Sequence, residues 1–209
     1  MPLRAVIFDY GMVLTEPANA LAHQCMLELT RLDTAAFEHA YWLHRPAYDR
    51  GTLHGLTYWQ ALARTANITL EPATIAQLIE LDIRMWTDLN PDMMRWVGQL
   101  HAANVRTAIL SNMSVDVLAH MRAHFDWLRR FDQLTWSCEL NMLKPEPEIY
   151  LHTLKRLGVR AEEALFLDDR EENVEGARRV GLQALVFRTV DQLRDDLTRT
   201  GLAQQLPAL

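Results

Sequence analysis

Short apolar runs that alternate with helical segments constrain the fold of this chain most strongly. After residue 104 the runs are "VRTAIL", the weaker "FDQLTWS", "EALFL" and "QALVF", and a helical segment follows each of the first three. Another run, "LRAVIF", lies near the start and is almost continuously apolar, as in a strand covered on both faces. Strands joined by single helices form right-handed crossovers, so we predict an α/β protein with a doubly wound, Rossmann-like parallel sheet.

The segment from residue 16 to residue 88 has a helical period throughout. One predicted helical face carries Phe37, Tyr41, His44 and Tyr48, and another carries Ile75, Leu78, Ile79, Asp82 and Trp86. Thr57 is a predicted N-cap of the helix that follows it. We therefore predict a helical bundle over residues 16–88, inserted into an α/β core domain made of residues 1–15 and 89–209.

Cap residues mark the ends of several predicted helices in the core. Asn90 followed by Pro91 is typical of a helix start, and Asn104 is typical of a left-handed residue after a helix end. Gly158 and Gly181 are the predicted ends of two later helices.

Composition limits the classes of function and the location of the chain. Of its 209 residues 49% are hydrophobic, which is enough to bury a core. The net charge of −6 argues against a nucleic-acid partner. Cys25 and Cys138 lie far apart and match neither a disulfide framework nor a zinc motif. With no basic leader before an apolar segment and no run of about 18 apolar residues, we expect a cytoplasmic protein without a membrane partner.

Polar side chains follow four of the predicted strands, at the point where each strand ends. They are Asp9 after the first strand, Ser111 and Asn112 after the second, Lys144 beyond the third, and Asp168 and Asp169 after the fourth. Taken singly, each has an ordinary explanation as a cap, a turn residue or a solvated loop residue. In an open parallel sheet, however, ligands bind beyond the carboxyl ends of the strands. We therefore predict that these residues meet in one site.

This combination of groups suits phosphoryl transfer. Asp9 is a predicted nucleophile that attacks phosphorus to form an aspartyl-phosphate. Carboxylates gathered around one point repel unless a cation joins them, and an all-oxygen set favours Mg²⁺. The hydroxyl of Ser111 and the backbone N–H of Asn112, expected at a helix start, would bind phosphate oxygens. Lys144 would supply the remaining positive charge, so Ser111 and Lys144 join Asp9 as predicted catalytic residues.

The choice of lysine at position 144 adds to this prediction. Of the 21 basic residues, only Lys144 and Lys155 are lysines. A compact ammonium in a chain that otherwise uses arginine indicates that a guanidinium would not fit there.

The same residues resemble the motifs of the haloacid dehalogenase-like (HAD) hydrolase superfamily, most of whose members are Mg²⁺-dependent phosphatases. "FDYGMVL" resembles its first motif, "LSN" its second, "LKPEPEIY" its third and "FLDDREENVEGARRVGL" its fourth. The chain is also similar to the sugar-phosphate phosphatases and to the phosphatase domain fused to some epoxide hydrolases. The resemblance implies a hydrolase whose inserted bundle is a helical cap that closes over the site and selects substrates.

The resemblance also implies roles for single residues. Asp9, the backbone carbonyl of Gly11 and Asp169 would bind Mg²⁺, and Asp168 would support this metal site. Asn173 would brace the fourth motif.

Position 11 departs from the family pattern. Phosphatases of this type usually have a second aspartate two residues after the nucleophile, where it protonates the leaving group and then activates water; here the residue is Gly11. General acid catalysis is worth about 10² to 10⁴ in rate, and Gly11 has no side chain to supply it. Three interpretations stay open: a Mg²⁺-dependent phosphatase acting on a small phosphate monoester such as a sugar phosphate, a 2-haloacid dehalogenase that needs no metal, and a weakly active binding module. We favour the first, because a dehalogenase has no evident use for Asp168 and Asp169.

The inserted bundle supplies further candidates. His44, Arg45, Tyr48, His54 and Trp59 could face the site, but aromatic residues at helical spacing usually pack a bundle, so none joins the predicted catalytic set. The expected partner is a small phosphorylated metabolite, and the expected state is a monomer or homodimer.

Overall fold

A computed structural model describes residues 2–209 as an α/β fold built on one five-stranded sheet. The strands are β1 (Ala5–Phe8), β2 (Arg106–Ser111), β3 (Gln133–Trp136), β4 (Ala164–Asp168) and β5 (Gln183–Val186). All neighbours are parallel, in the order β3-β2-β1-β4-β5. From β1 the chain builds one half of the sheet and then the other, which confirms the predicted doubly wound architecture.

Five helices lie between β1 and β2, and five more lie among and after the later strands. The first five are α1 (Ala20–Thr30), α2 (Thr34–Asp49), α3 (Gly55–Thr65), α4 (Pro72–Met85) and α5 (Pro91–Ala102). The others are α6 (Val115–His124), α7 (Ser137–Leu140), α8 (Pro147–Leu157), α9 (Glu171–Arg179) and α10 (Val190–Arg199). Within residues 2–209, no helix has both the length and the apolar character that crossing a membrane requires.

The predicted cap residues account for several of these boundaries. Asn90 Oδ1 accepts hydrogen bonds from the backbone N–H groups of Asp92 and Met93, both at 3.2 Å, and Pro91 is the first residue of α5. Asn104 and Gly158 have φ angles of 58° and 66°, the left-handed conformation that follows helix ends. These predictions are confirmed.

The sheet is covered on both faces, as the apolar strand sequences require. Val6 and Phe8 of β1 join a cluster on one face, while Ala5 and Ile7 join a cluster on the other. Alternate residues of a strand point to opposite faces, so all four residues of β1 are apolar, and its first polar side chain is that of Asp9, just beyond the strand.

Helices α1–α4 bury a hydrophobic cluster of their own. Its largest fully buried members are Phe37, Tyr41, Tyr48, Tyr58 and Trp59. The chain leaves the core and returns to it where Thr15 and Leu89 form an antiparallel bridge. We call the segment containing these four helices the insertion; its delimitation as a domain of residues 16–88 stays a prediction.

The buried stripe of α2 differs from the predicted one at a single position. Phe37, Tyr41, Arg45 and Tyr48 are buried, whereas His44 is partly exposed and its Nε2 lies 2.8 Å from Thr65 Oγ1. Positions 44 and 45 both fit a 3.6-residue period after position 41, so spacing alone did not separate them. Arg45 is the buried residue of the two because the carboxylates of Asp49 and Asp82 pair with it.

Other local predictions need correction. Thr57 is not the N-cap of α3, which begins at Gly55 after His54; instead Thr57 Oγ1 accepts the His54 N–H at 3.0 Å from the third helical position. Helices α7 and α10 were not predicted. The second has a readable signal, because Thr189 caps it and Leu193 and Leu197 are buried at a spacing of four residues.

Candidate active site

The register of the sheet brings the predicted strand-end residues to one edge. Phe8 of β1 pairs with Ile109 of β2 and with Leu167 of β4, so Asp9 lies between the ends of both neighbouring strands. Ser111 and Asp168 are the last residues of those strands. A cavity of about 120 Å³ lies at this edge, and its lining includes Asp9, Gly11, Ser111, Asn112, Lys144 and Asp169.

Lys144 connects two of the carboxylates. Its Nζ lies 2.8 Å from Asp9 Oδ1 and 2.6 Å from Asp168 Oδ2, and its side chain is fully buried. Burial opposes the charged ammonium, but the carboxylates of Asp168 and Asp9 outweigh this effect and raise the pKa of Lys144. The lysine is therefore a permanent positive charge at the end of β1.

Asp9 is held in place by two donors. Its Oδ1 accepts the backbone N–H of Tyr10 at 2.7 Å and faces the Lys144 ammonium. Burial raises the pKa of Asp9 to about 7; Lys144 lowers this pKa, and the charges of Asp168 and Asp169 raise it. Asp9 is thus a carboxylate whose ionised form needs more positive charge than Lys144 alone provides.

Asp168 is saturated with hydrogen bonds. Its Oδ1 accepts from the Arg170 N–H and from Asn173 Nδ2, both at 2.9 Å, and its Oδ2 accepts from Lys144 Nζ and from Asn173 Nδ2 at 3.1 Å. A carboxylate with these partners orients Lys144 and has little capacity left for a ligand. Asn173, buried on α9, braces this aspartate.

The arrangement of oxygens fits a divalent metal ion. Carboxylate oxygens of Asp9, Asp168 and Asp169 lie within 4.8 Å of one another. Among the side-chain donors of residues 2–209, none reaches Asp9 Oδ2 or the Asp169 carboxylate, and burial raises the pKa of Asp169. Three carboxylates also face one ammonium, so two negative charges stay unpaired when all are ionised. Oxygen donors with this charge suit Mg²⁺.

The side chains of Ser111 and Asn112 make different kinds of contact. Ser111 is buried at the cavity, and its hydroxyl has one long contact, 3.4 Å to the Asn112 carbonyl. The Asn112 side chain accepts the Lys144 N–H at 2.9 Å and donates to the Lys144 carbonyl at 3.1 Å, which fixes the lysine's loop. The prediction that Asn112 lies at a helix start is wrong, because Ser114 is the N-cap of α6.

Gly11 lies in the tight turn Tyr10–Leu14 that follows Asp9. Its φ of −64° is accessible to any residue, so backbone conformation does not require glycine. A Cβ at this position would meet ring carbons of Trp86 at 3.7 and 3.8 Å, which is ordinary contact. Trp86, at the end of α4, lines the same cavity. The space beside position 11 therefore borders an indole ring.

Helix α2 of the insertion contributes to the wall of the cavity. Trp42, Arg45 and Asp49 line it, and they also line an adjoining cavity of about 570 Å³. Of the five insertion candidates named from the sequence, only Arg45 lines either of these cavities. Asp49, Trp42 and Trp86 were missed; the spacing of positions 42, 45 and 49 places them on one helical face and was the available signal.

Polar contacts at three places join the insertion to the core around the site. Ser137 Oγ donates to the Asp49 carbonyl at 2.5 Å. Arg50 pairs with Glu146 and donates to the Asn141 carbonyl at 2.8 Å. In addition, Asp116 Oδ2 of α6 accepts from the Gly55 N–H at 3.0 Å and from the Tyr48 hydroxyl at 2.8 Å.

A family model described as haloacid dehalogenase-like hydrolase matches residues 3–181. The chain therefore belongs to the haloacid dehalogenase-like hydrolases, which confirms the family resemblance and the assignment as a hydrolase. A search of solved structures gives the same fold. The HAD family enzyme BT-2542 of Bacteroides thetaiotaomicron, in complex with magnesium and inorganic phosphate, has a TM-score of 0.72 at 17% identity, covering 91% of this chain and 98% of that one.

Curated relatives include different hydrolases. Phosphatase MT3486 of Mycobacterium tuberculosis is 26% identical, covering 95% of this chain and 94% of its own. (S)-2-haloacid dehalogenase 1 of a Pseudomonas strain is 27% identical, covering 91% and 87%. Flavin mononucleotide hydrolase 1 of Arabidopsis thaliana is 37% identical over 87 residues, which are 40% of this chain and 36% of that protein. The chain thus spans about a third of the length of that relative.

Proposed function

We propose that this chain is a Mg²⁺-dependent phosphatase that hydrolyses a small phosphate monoester, such as a sugar phosphate, through an aspartyl-phosphate on Asp9. The observation that supports this most is the arrangement of Asp9 beside a buried lysine and beside carboxylate oxygens that lack donors. The relatives described as a phosphatase and as a flavin mononucleotide hydrolase are consistent with it.

The proposed reaction has two steps. An Asp9 carboxylate oxygen attacks phosphorus and breaks the bond to the ester oxygen, which leaves as an alcohol once it is protonated. Water then attacks the phosphorus of the aspartyl-phosphate, releases inorganic phosphate and restores Asp9. Lys144 uses two of its three N–H donors on Asp9 and Asp168, so the third is available for a phosphate oxygen, together with the Ser111 hydroxyl and the backbone N–H of Asn112.

Asp9, Asp169 and the backbone carbonyl of Gly11 would hold Mg²⁺, with Asp168 supporting them. The ion would supply positive charge that stabilises the charge developing on the transferred phosphoryl group. The saturation of Asp168 by hydrogen bonds is the reason for giving it the supporting role.

We also propose that the insertion, residues 16–88, is a helical cap. Its contacts with the core surround the site, and α2 supplies one wall of both cavities. A cap in this position excludes water from the phosphoryl group and selects the leaving group.

A 2-haloacid dehalogenase is the second candidate. The 27% identity to such an enzyme and the glycine at position 11 favour it, because halide leaves without a proton. A binding module with little turnover is the third. Attack on carbon gives the carboxylate of Asp169 no evident role, which is why we rank the phosphatase first.

Hydrolysis of para-nitrophenyl phosphate and of a sugar-phosphate panel, with Mg²⁺ and with EDTA, tests the proposal, with 2-chloropropionate as the dehalogenation assay. Release of phosphate that requires Mg²⁺ is the expected result. Halide release that is insensitive to EDTA would replace it with the dehalogenase, and no turnover of either kind would favour the binding module. The substitution Asp9→Asn is expected to abolish turnover, and circular dichroism would check that the variant is folded. A folded, active variant would exclude Asp9 as the nucleophile.

A further inference from the structure

We propose that Asp49 of the insertion is the general acid that position 11 lacks, and that it protonates the ester oxygen as the phosphoryl group moves to Asp9. This inference rests on the phosphatase function proposed above. In the step concerned, the bond between phosphorus and the ester oxygen breaks, and the Asp49 carboxyl O–H gives its proton to that oxygen. The alcohol leaves neutral, and Asp49 remains as a carboxylate.

Elimination among the cavity residues leads to Asp49. Besides Asp9 and Asp169, which the proposed mechanism already uses, Asp49 is the remaining carboxyl that lines the 120 Å³ cavity within residues 2–209. The Tyr10 hydroxyl is directed elsewhere, since it donates to the Trp86 carbonyl at 2.7 Å, and burial raises its pKa. Lys144 is held as an ammonium by its two carboxylates.

The side chain of Ser137 fixes the backbone of Asp49 relative to the proposed phosphate-binding loop. Ser137 Oγ donates to the Asp49 carbonyl at 2.5 Å and accepts the Met113 N–H at 2.8 Å. Met113 lines the cavity and follows Ser111 and Asn112 in the chain. One serine therefore ties the carboxyl-bearing end of α2 to the loop that presents the predicted phosphate donors.

The side chain of Asp49 is oriented and only partly paired. Arg45 Nε donates to its Oδ1 at 2.9 Å, and no hydrogen bond of residues 2–209 ends on its Oδ2. Arg45 also donates to Asp82 Oδ1 at 2.9 Å, so one guanidinium is shared between two carboxylates. Burial raises the pKa of Asp49 in spite of Arg45, which favours the protonated form that an acid needs.

Position 11 and Asp49 border the same cavity from different elements. Gly11 lies in the turn after β1, and Trp86 borders the space beside it. Asp49 lies on α2 of the insertion and lines this cavity together with Gly11 and Trp86. A carboxyl on α2 can therefore take the place of the side chain that position 11 lacks.

The test compares esters whose leaving groups differ in their need for a proton. For Asp49→Asn with Mg²⁺, we expect kcat/KM for alkyl and sugar phosphates to fall about 10²- to 10⁴-fold. We expect para-nitrophenyl phosphate to be affected far less, because nitrophenolate leaves without a proton. An equal loss for both ester classes, or no loss, would overturn the assignment of Asp49 as the acid.

Asp82→Asn is the matched control. It removes the other carboxylate partner of Arg45, but Asp82 is fully buried and does not line either cavity. We expect its effect to be the same for both ester classes; a selective loss like that of Asp49→Asn would show that the effect acts through Arg45 and would overturn the proposal.

Two further measurements complement the comparison of ester classes, and the first of them uses only the wild type. If the wild type has a general acid, its kcat/KM should depend only weakly on the pKa of the leaving alcohol. A steep dependence would contradict the proposed acid. In an Asp9→Asn background, adding Asp49→Asn is expected to leave the calorimetric affinity for a sugar phosphate unchanged. A fall in affinity as large as the fall in kcat/KM would make Asp49 a binding residue instead. Absence of turnover in the wild type would refute the phosphatase function itself, a distinct result.

Discussion

The core and the insertion each bury one cation between two carboxylates, but the two ion clusters differ in their surroundings. Lys144 joins Asp9 and Asp168 at the end of the sheet, whereas Arg45 joins Asp49 and Asp82 between helices. In the core cluster every oxygen of Asp168 has a donor. In the insertion cluster Asp82 Oδ2 is buried and has no partner, although the Tyr41 hydroxyl donates to Oδ1 at 2.5 Å.

This difference indicates different uses. The core cluster borders polar groups that the proposed reaction needs, so in our proposal Lys144 acts in the reaction as well as in stabilising the fold. The insertion cluster lies among the aromatic side chains of α2 and α3, and Arg45 approaches the ring of Tyr41 at 5.3 Å and that of Tyr48 at 5.6 Å. Burying ions in such a place is costly unless their geometry is good. We interpret the ion pairs of the insertion cluster as contacts that orient the Asp49 carboxyl.

Lys144→Met is expected to have the largest effect. It leaves two buried carboxylates without their cation, which costs about 3 to 5 kcal/mol in the free energy of unfolding. It also removes the positive charge that lowers the pKa of Asp9, so less of this proposed nucleophile is ionised near neutral pH. Turnover should fall about 10²- to 10³-fold or more. Urea unfolding and phosphatase assays measure the two effects.

Lys155→Met is the control for this substitution, because Lys155 is the other lysine and lies exposed on α8. It should change neither quantity appreciably. If Lys144→Met were as stable and active as Lys155→Met, the role of the core cluster would be refuted.

Arg45→Met is expected to lower the free energy of unfolding by about 3 kcal/mol, near the lower end for a broken buried ion pair, because Asp49 retains some contact with solvent. Turnover should fall less than for Lys144→Met, since Asp9 and Lys144 stay intact. The exposed Arg64, on α3, provides the control Arg64→Met, for which we expect nearly unchanged stability in the same unfolding assay. A larger loss of turnover from Arg45→Met than from Lys144→Met would reverse the ranking of the two clusters.

Addition of Mg²⁺ should stabilise the fold, by about 2.7 kcal/mol at 100 times Kd. The pKa of Asp9, 3.8 in the unfolded chain, is raised to about 7 in the metal-free fold. Between these values the folded state keeps a proton that the unfolded state has lost, so the stabilising contribution of Asp9 declines as pH rises. Because a metal competes with this proton, the thermal shift should be larger at about pH 8 than at about pH 5.5.

Asp169→Asn should remove most of this shift, and Asp191→Asn, at an exposed position of α10, should preserve it. An unchanged shift in Asp169→Asn would place the metal elsewhere.

The sequence allowed prediction of the core far more than of the insertion's contribution to the site. Strand-end residues could be found because parallel strands align their carboxyl ends, so Asp9, Ser111 and Asp169 meet whatever the loops do. The proposed role of Asp49 could not be predicted in this way, because it depends on how α2 docks against Ser137, the first residue of α7, which is hydrogen-bonded to Met113 in the loop after β2. Such docking is a tertiary contact that helical periodicity does not encode.

The choice between His44 and Arg45 shows the same limit. Either residue fits the apolar face by spacing, and histidine is the more readily buried of the two by type. Arg45 is buried because Asp82, on a different helix, supplies its counter-charge. The burial of Arg45 could therefore have been predicted only from the packing of α2 against α4, which the sequence pattern does not give.

The smallest expected effect tests how firmly the insertion is attached to the core. Arg50 pairs with Glu146 across this boundary, and both side chains are about one-third exposed. Arg50→Ala should therefore lower stability by about 1 kcal/mol or less. The same arginine holds the end of α2 beside the Lys144 loop. We therefore expect KM for a sugar phosphate to rise measurably although the loss of stability is small. Arg122→Ala breaks a somewhat more exposed pair, between Arg122 of α6 and Glu139 of α7, and should give a stability loss no larger and no change in KM. Equal changes in KM for both variants would show that the attachment of α2 does not shape the substrate cavity.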